Sequence, residues 1–153
     1  MNKLIVIVTC LFWVTLRVDA AQPTSVLPHE VVINGVEFIQ GDFREDEVLA
    51  QLLATLAGRP VDLVLSDMAP NLSGIAVSDQ ARVMHLAELT LDFCDRQLKI
   101  GGNLVVKVFH GSGFTELRAA VAAMFESVTV RKPAASRDKS TETYLLARNK
   151  LAP

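Results

Sequence analysis

Two rhythms of apolar residues alternate along this chain: short runs rich in Val, Ile and Leu, and longer stretches whose apolar positions recur at helical spacing. Val61 to Leu65 is a short run that reaches a carboxylate at Asp67 and then breaks into Pro70, Asn71 and Gly74, which predicts a buried parallel strand with Asp67 at its carboxyl end. Asn103 to Phe109 (NLVVKVF) predicts another, with Lys107 among apolar neighbours, and Val36 to Asp42 (VEFIQGD) alternates like a third. Val48, Leu49, Leu52, Leu53 and Leu56 make one helical stripe within Glu45 to Leu56. Ser78 is placed to cap a second helix, whose apolar face runs through Val83, Leu86, Ala87, Thr90, Cys94 and Leu98 and stops before Gly101 and Gly102. After a turn with Gly111 and Gly113, a third helix is predicted from about Thr115 to Phe125, then strands at Ser127 to Val130 and Thr143 to Ala147 with a basic stretch between them.

Strand alternating with helix predicts an α/β fold with a doubly wound sheet, and two final strands with no helix between them predict a closing antiparallel hairpin. In an open α/β sheet ligands bind beyond the carboxyl ends of the strands. Asp67 stands at that edge. An ionisable residue inside a buried strand is rarely there for packing, so Lys107 and Asp67 form a candidate catalytic pair. Each also has a plain structural reading: a snorkelling lysine at Lys107, and a turn cap over Pro70 and Asn71 at Asp67.

The first twenty residues break the pattern. Met1-Asn-Lys, an uncharged and mostly apolar stretch from Leu4 to Leu16, and Arg17-Val-Asp-Ala-Ala resemble a secretory signal peptide with a small-residue cleavage site after Ala20. The run is short for a transmembrane helix, so no stable membrane span is expected. Its Ile, Val and Thr content equally suits a core strand at Leu4 to Val8. A third reading is a foreign start joined to a truncated domain. The expected organisation is thus a signal-like or spurious segment over 1–26 and a partial catalytic domain over 27–150.

The chain has 153 residues, half of them hydrophobic and 21% charged, which suits one globular domain with a sizeable core. A net charge of −2 excludes a purely electrostatic nucleic-acid binder and leaves any phosphate contact to local clusters. Arg131, Lys132, Arg137 and Lys139 form such a cluster. Cys10 and Cys94 lie far apart without ligand spacing, so neither a disulfide nor a metal site is expected. His85 and His110 stand alone and are assigned no catalytic role.

Four stretches, Gly41-Asp42-Phe43, SDMAPNLSG at 66–74, VVKVFHG at 105–111 and RKPAASRDKSTETY at 131–144, occur in the order and spacing of one family. From about Leu27 to Lys150 the chain resembles the C-terminal two thirds of the FtsJ-like (RrmJ-type) ribosomal RNA 2′-O-ribose methyltransferases. The resemblance implies a Rossmann-like S-adenosylmethionine-dependent methyltransferase fold, truncated at its N-terminal side. It implies an rRNA (uridine-2′-O-)-methyltransferase that acts on large-subunit ribosomal RNA, in the cytoplasm, or in mitochondria if the source is eukaryotic; a genuine signal segment would imply export instead.

By the same resemblance Asp67, Lys107 and Glu142 are three members of a Lys-Asp-Lys-Glu catalytic tetrad, Asp42 and Asp67 bind the cofactor, and Arg131, Lys132, Arg137 and Lys139 meet RNA. Carboxylates beside a lysine favour its charged form, whereas burial and a sulfonium favour the neutral base. The family's Gly-rich cofactor loop and first tetrad lysine have no counterpart, because no glycine precedes Gly35, and Ser25 stands where the family places an acidic residue on the cofactor ribose. S-adenosylmethionine is therefore expected to bind weakly or not at all. One edge of the Val61 strand is expected to be bare, unless Leu4 to Leu16 fills the gap. Catalytic membership of the family, a catalytically inactive RNA-binding remnant and an unrelated small secreted protein are the three functions this leaves open.

Overall fold

A computed structural model of the chain describes residues 4–9, 13–17, 36–70, 73–133 and 140–153. In chain order its elements are β1 (Leu4–Thr9), β2 (Trp13–Arg17), β3 (Val36–Ile39), α1 (Asp46–Leu56), β4 (Val61–Asp67), α2 (Ala76–Gln97), β5 (Leu98–Phe109), α3 (Phe114–Met124), β6 (Phe125–Arg131) and β7 (Glu142–Lys150). The strands form one sheet in the order β3-β2-β1-β4-β5-β7-β6. β1, β4 and β5 run parallel, and β7 enters antiparallel between β5 and β6. The α/β sheet and its closing antiparallel hairpin are those the pattern predicts, but the sheet is not doubly wound among the described residues, because α1, α2 and α3 share one face.

The edge of β4 is not bare. β1 pairs with it in parallel from Ile5 opposite Leu63 to Thr9 opposite Asp67, and β2 returns antiparallel to join β1 to β3. A row of unpaired amides and carbonyls beside a buried strand is costly, and a β-branched segment of matching length satisfies it. The strand reading of Leu4 to Val8 is the one the fold uses.

Other boundaries shift for local reasons. Ser78 is not a cap: α2 begins at Ala76 after an extended Ile75, and no side chain caps it. Leu98 lies past the last residue of α2, which its amide caps, and already starts β5, pairing with Val61 before an irregular excursion through Lys99 to Gly102, after which Asn103 pairs with Leu63.

The connections from β3 to β4, β4 to β5 and β5 to β6 all step in one direction across the sheet. Right-handed crossovers taken in one direction place every helix on one face. There Phe43, in the loop before α1, stands edge to face with Phe93 of α2 at 6.1 Å, and α2 meets α3. Beneath them Val64 and Ser66 of β4, Leu104, Val106 and Val108 of β5, and Thr143, Leu145 and Ala147 of β7 are buried. The opposite face carries Leu63, Leu65, Val105, Lys107, Tyr144 and Leu146, all half-buried, and no helix among the described residues lies on it. β1 and β2 are antiparallel neighbours in the sheet. Among the described residues no helix is long and apolar enough to cross a membrane.

Cations close the carboxyl ends of two helices. The Arg59 guanidinium donates to the carbonyls of Thr55 and Leu56 at the end of α1. The Lys150 ammonium, at the end of β7, donates to the carbonyls of Cys94, Asp95 and Leu98 at 2.8, 2.5 and 3.0 Å. Cys94 and Asp95 lie in the last turn of α2, where the carbonyls carry the negative end of the helix dipole, and the Cys94 carbonyl accepts the Leu98 amide as well. Lys150→Ala is expected to lower the unfolding free energy by about 1 to 2 kcal/mol, measured by the urea midpoint, whereas an exposed control such as Arg148→Ala should leave the midpoint nearly unchanged.

Candidate active site

The carboxyl ends of β4 and β5 bring Asp67 and Lys107 together on the open face. Ser66 pairs with Val106 in the parallel ladder, so the next residues, Asp67 and Lys107, are neighbours across it. Their side chains meet as an ion pair, Lys107 Nζ lying 2.8 Å from Asp67 Oδ1. The lysine side chain is only 13% exposed and the aspartate 50%, so the carboxylate is the half of the pair presented to solvent. Ser66 is buried on the other face, its hydroxyl 3.3 Å from that of Thr90 on α2, which anchors the strand end that carries Asp67.

A third group joins the pair that sequence reasoning missed. Tyr144 sits opposite Lys107 in the antiparallel β5–β7 ladder, and its hydroxyl donates to the same Asp67 Oδ1 at 2.9 Å. Burial, the hydrogen bond to Asp67 and the charges of Asp67 and Glu142 push the phenol up to about 12, so it remains a donor across the physiological range. Strand alternation could have found it, because Tyr144 is two residues from Glu142 and must share its face. Arg131 of β6 pairs with Tyr144 in turn. One rung of the sheet thus reads Asp67, Lys107, Tyr144, Arg131, with the arginine exposed about 10 Å from the lysine by strand spacing.

Glu142 lies one rung farther out, opposite Phe109 on the same face, and its amide donates to Ser140 Oγ at 3.2 Å. Among the described residues its carboxylate makes no ion pair with Lys107. The diagonal spacing on one face is about 7 to 8 Å, within reach of long side chains or of a ligand between them.

Asp42 lies just past β3 on the same carboxyl edge. Ile39 and Ser66 share one row of the sheet, three strand spacings or about 14 Å apart. Gly41 before it admits no side chain, since a Cβ there would lie 2.3 Å from Val48 of α1. The Asp42 carboxylate is gripped by Arg44, whose Nε donates to both oxygens at 2.9 and 3.0 Å, whose Nη2 donates to Oδ2 and whose backbone amide donates to Oδ1 at 3.0 Å. Hydrogen bonding from that guanidinium holds Asp42 below the usual carboxylate range.

Lys132 is exposed beside Arg131, while Arg137 and Lys139 lie outside the described residues. His110 stacks on Phe114 at 4.3 Å. Among the described residues no cluster of three or more His, Cys, Asp or Glu could hold a metal ion. Cys94 is buried and its thiol is pushed up to about 12 by that burial, which makes it a packing residue.

The loop that leaves Asp67 is held by Asp79, a second residue that no periodic pattern marks. The buried Asp79 carboxylate accepts from the Ser73 amide at 2.8 Å, the Ser73 hydroxyl at 2.7 Å and the Gly74 amide at 3.0 Å. These bonds, led by the Ser73 amide, hold Asp79 below the ordinary carboxylate range.

The sequence model of the FtsJ-like methyltransferase family matches residues 18–150. The chain is 58% identical over 125 residues to the ribosomal RNA large subunit methyltransferase E of Bordetella pertussis, and 58% over 126 residues to that of Neisseria meningitidis. Each match covers 82% of this chain but 59% and 61% of the relatives, so the chain spans about three fifths of their length. The crystal structure of a ribosomal RNA methyltransferase from Plasmodium falciparum superposes with a TM-score of 0.69 at 30% identity, over 80% of this chain and 68% of that one.

The depressed Asp42 and Asp79 give a pH prediction. A carboxylate whose folded pKa lies below its unfolded value contributes stability that is fully present above the unfolded value, about 4, and is lost as pH falls through the folded one. Thermal midpoints taken from about pH 7 down to 3 should therefore fall on the acid side. Asp79→Asn should lower the midpoint at neutral pH and flatten the acid limb, and an unchanged acid limb would count against the Ser73 and Gly74 cradle.

Proposed function

The chain belongs to the FtsJ-like methyltransferase family, and we propose that its site serves S-adenosylmethionine-dependent 2′-O-methylation of a ribose in large-subunit ribosomal RNA, the work of an rRNA (uridine-2′-O-)-methyltransferase. The observation that carries this reading is the Asp67, Lys107, Tyr144 constellation at the carboxyl edge of the sheet, in a chain 58% identical to methyltransferases whose names specify that ribosomal RNA. Such a substrate is met in the cytoplasm, or in mitochondria if the source is eukaryotic.

Methyl transfer to an alcohol is an in-line displacement, so orienting the attacking oxygen supplies much of the acceleration. Lys107 is fixed on one side by Asp67 and faces the open side of the sheet, where it can orient a ribose hydroxyl. Asp67 Oδ1 is held by Lys107 and Tyr144, and among the described residues Oδ2 has no partner, which leaves it for a ligand. As the hydroxyl oxygen attacks, its proton passes toward the Lys107–Asp67 pair. Glu142 extends the negative side of the site toward the rim, and Arg131 with Lys132, Arg137 and Lys139 meets phosphates, which position RNA without reading its sequence.

The cofactor would supply a methyl group on a sulfonium. The acceptor side of the site fits it: Asp42 and Asp67 are the carboxylates that would hold it, Asp42 on release from Arg44. The other side fits less well, since no glycine precedes Gly35 to allow a backbone to approach the ligand closely. Weak cofactor affinity is the expected result. The same lack of glycine favours a second reading, an RNA-binding chain without catalysis.

Incubation with undermethylated large-subunit particles at saturating cofactor separates the two. The proposed function expects Lys107-dependent appearance of 2′-O-methylribose; RNA retention without any methyl incorporation would support the second reading. Lys107→Ala should leave cofactor affinity nearly unchanged by calorimetry while lowering the single-turnover rate about a hundredfold or more. Asp67→Ala should harm both. Tyr144→Phe, which removes one hydrogen bond to a charged group, should lower the rate by about tenfold.

A further inference from the structure

The first turn of α2 holds two loops at once. Asp79 grips Ser73 and Gly74 in the loop that follows Asp67. The next residue, Gln80, reaches the turn after β5. Its Nε2 donates to the carbonyl of Ser112 at 2.9 Å and lies 3.4 Å from the carbonyl of Phe109, the last residue of the strand that carries Lys107. Between those two carbonyls lies Gly111. A Cβ on Gly111 would stand 2.7 Å from Gln80 Cδ, 2.8 Å from Oε1 and 2.9 Å from Nε2, so the carboxamide packs against a site that only glycine leaves open.

We propose that Gln80 is a positioning residue for the acceptor site: its carboxamide, seated on Gly111, latches the end of β5 to α2 and so fixes Lys107 relative to Asp67. The chemistry of the latch selects an amide. Both targets are carbonyl oxygens, which a neutral NH2 satisfies and a carboxylate repels. On the other side of the same turn the His110 amide donates to the Thr141 carbonyl at 2.9 Å, tying it to the start of β7 beside Glu142. The turn after β5 is therefore pinned to a helix and to a strand, and Lys107, three residues upstream of His110, inherits that fixed position.

Gly111 has an ordinary backbone conformation, so an added methyl strains the carboxamide above it and not its own φ. This makes the latch testable by its non-additivity. Gly111→Ala should displace Gln80 and lower the thermal midpoint, Gln80→Ala should lower it similarly, and the double variant should match Gln80→Ala alone, because the methyl then enters vacated space. Losses that simply sum would overturn the latch, and this comparison needs no activity.

The positioning role rests on the methyl-transfer reading and is judged by kinetics on the same variants. Gln80→Ala and Gln80→Glu should lower kcat by about tenfold or more while leaving the KM for RNA and the affinity for cofactor near their wild-type values. Unchanged kcat in both, or a fall that follows KM alone, would overturn the positioning role. Absence of methyl transfer in the unsubstituted chain would refute the methyltransferase reading itself, and with it the kinetic role, while the stability comparison would still decide the latch.

Discussion

Handedness is the constraint from which the rest of this structure follows. Three crossovers, β3 to β4, β4 to β5 and β5 to β6, run the same way across the sheet, and each must be right-handed. The three helices among the described residues are thereby committed to one face, and the carboxyl ends of β3, β4 and β5 to one edge. What remains is a second face with half-buried aliphatic residues and, at its rim, Asp67 and Lys107 in contact. The site is the place where that face, which no helix among the described residues covers, meets the carboxyl edge.

Charge is arranged there with economy. Asp67 Oδ1 receives both the Lys107 ammonium and the Tyr144 hydroxyl, so one oxygen orders two strands that are distant in sequence. Lys107 is nearly buried, yet its desolvation is compensated by a partner on the adjacent strand. Asp79 braces the loop after β4 as a carboxylate that accepts backbone amides, and Gln80 braces the turn after β5 with a neutral carboxamide. Ser66 and Thr90 do the same for the strand end from beneath, and Lys150 holds the far end of α2.

Much of this was legible in the sequence, because burial and strand period leave strong marks. The runs at Val61 and Asn103 identified β4 and β5, and strand ends followed by turn residues located Asp67 on the binding edge. The Leu4 to Leu16 segment is ambiguous because one composition, Ile, Val and Thr without charge, serves a signal segment and a buried strand equally well; in the fold Leu4–Thr9 pairs with β4 as a strand. Ser78 misled because a capping residue type carries no information on where the helix begins when the preceding loop is held by Asp79 instead. Tyr144 was within reach of strand alternation from Glu142, whereas Gln80 was not, since its partners are two backbone carbonyls that no side-chain pattern reveals.

The central claim is that Lys107 is bound to Asp67, with Glu142 standing off by a rung. The direct measurement is the nitrogen NMR signal of the Lys107 ammonium in specifically labelled protein, compared between Asp67→Asn and Glu142→Gln. A large displacement of that signal in Asp67→Asn and a small one in Glu142→Gln is the predicted result; the reverse order would contradict the pairing on which the site is built.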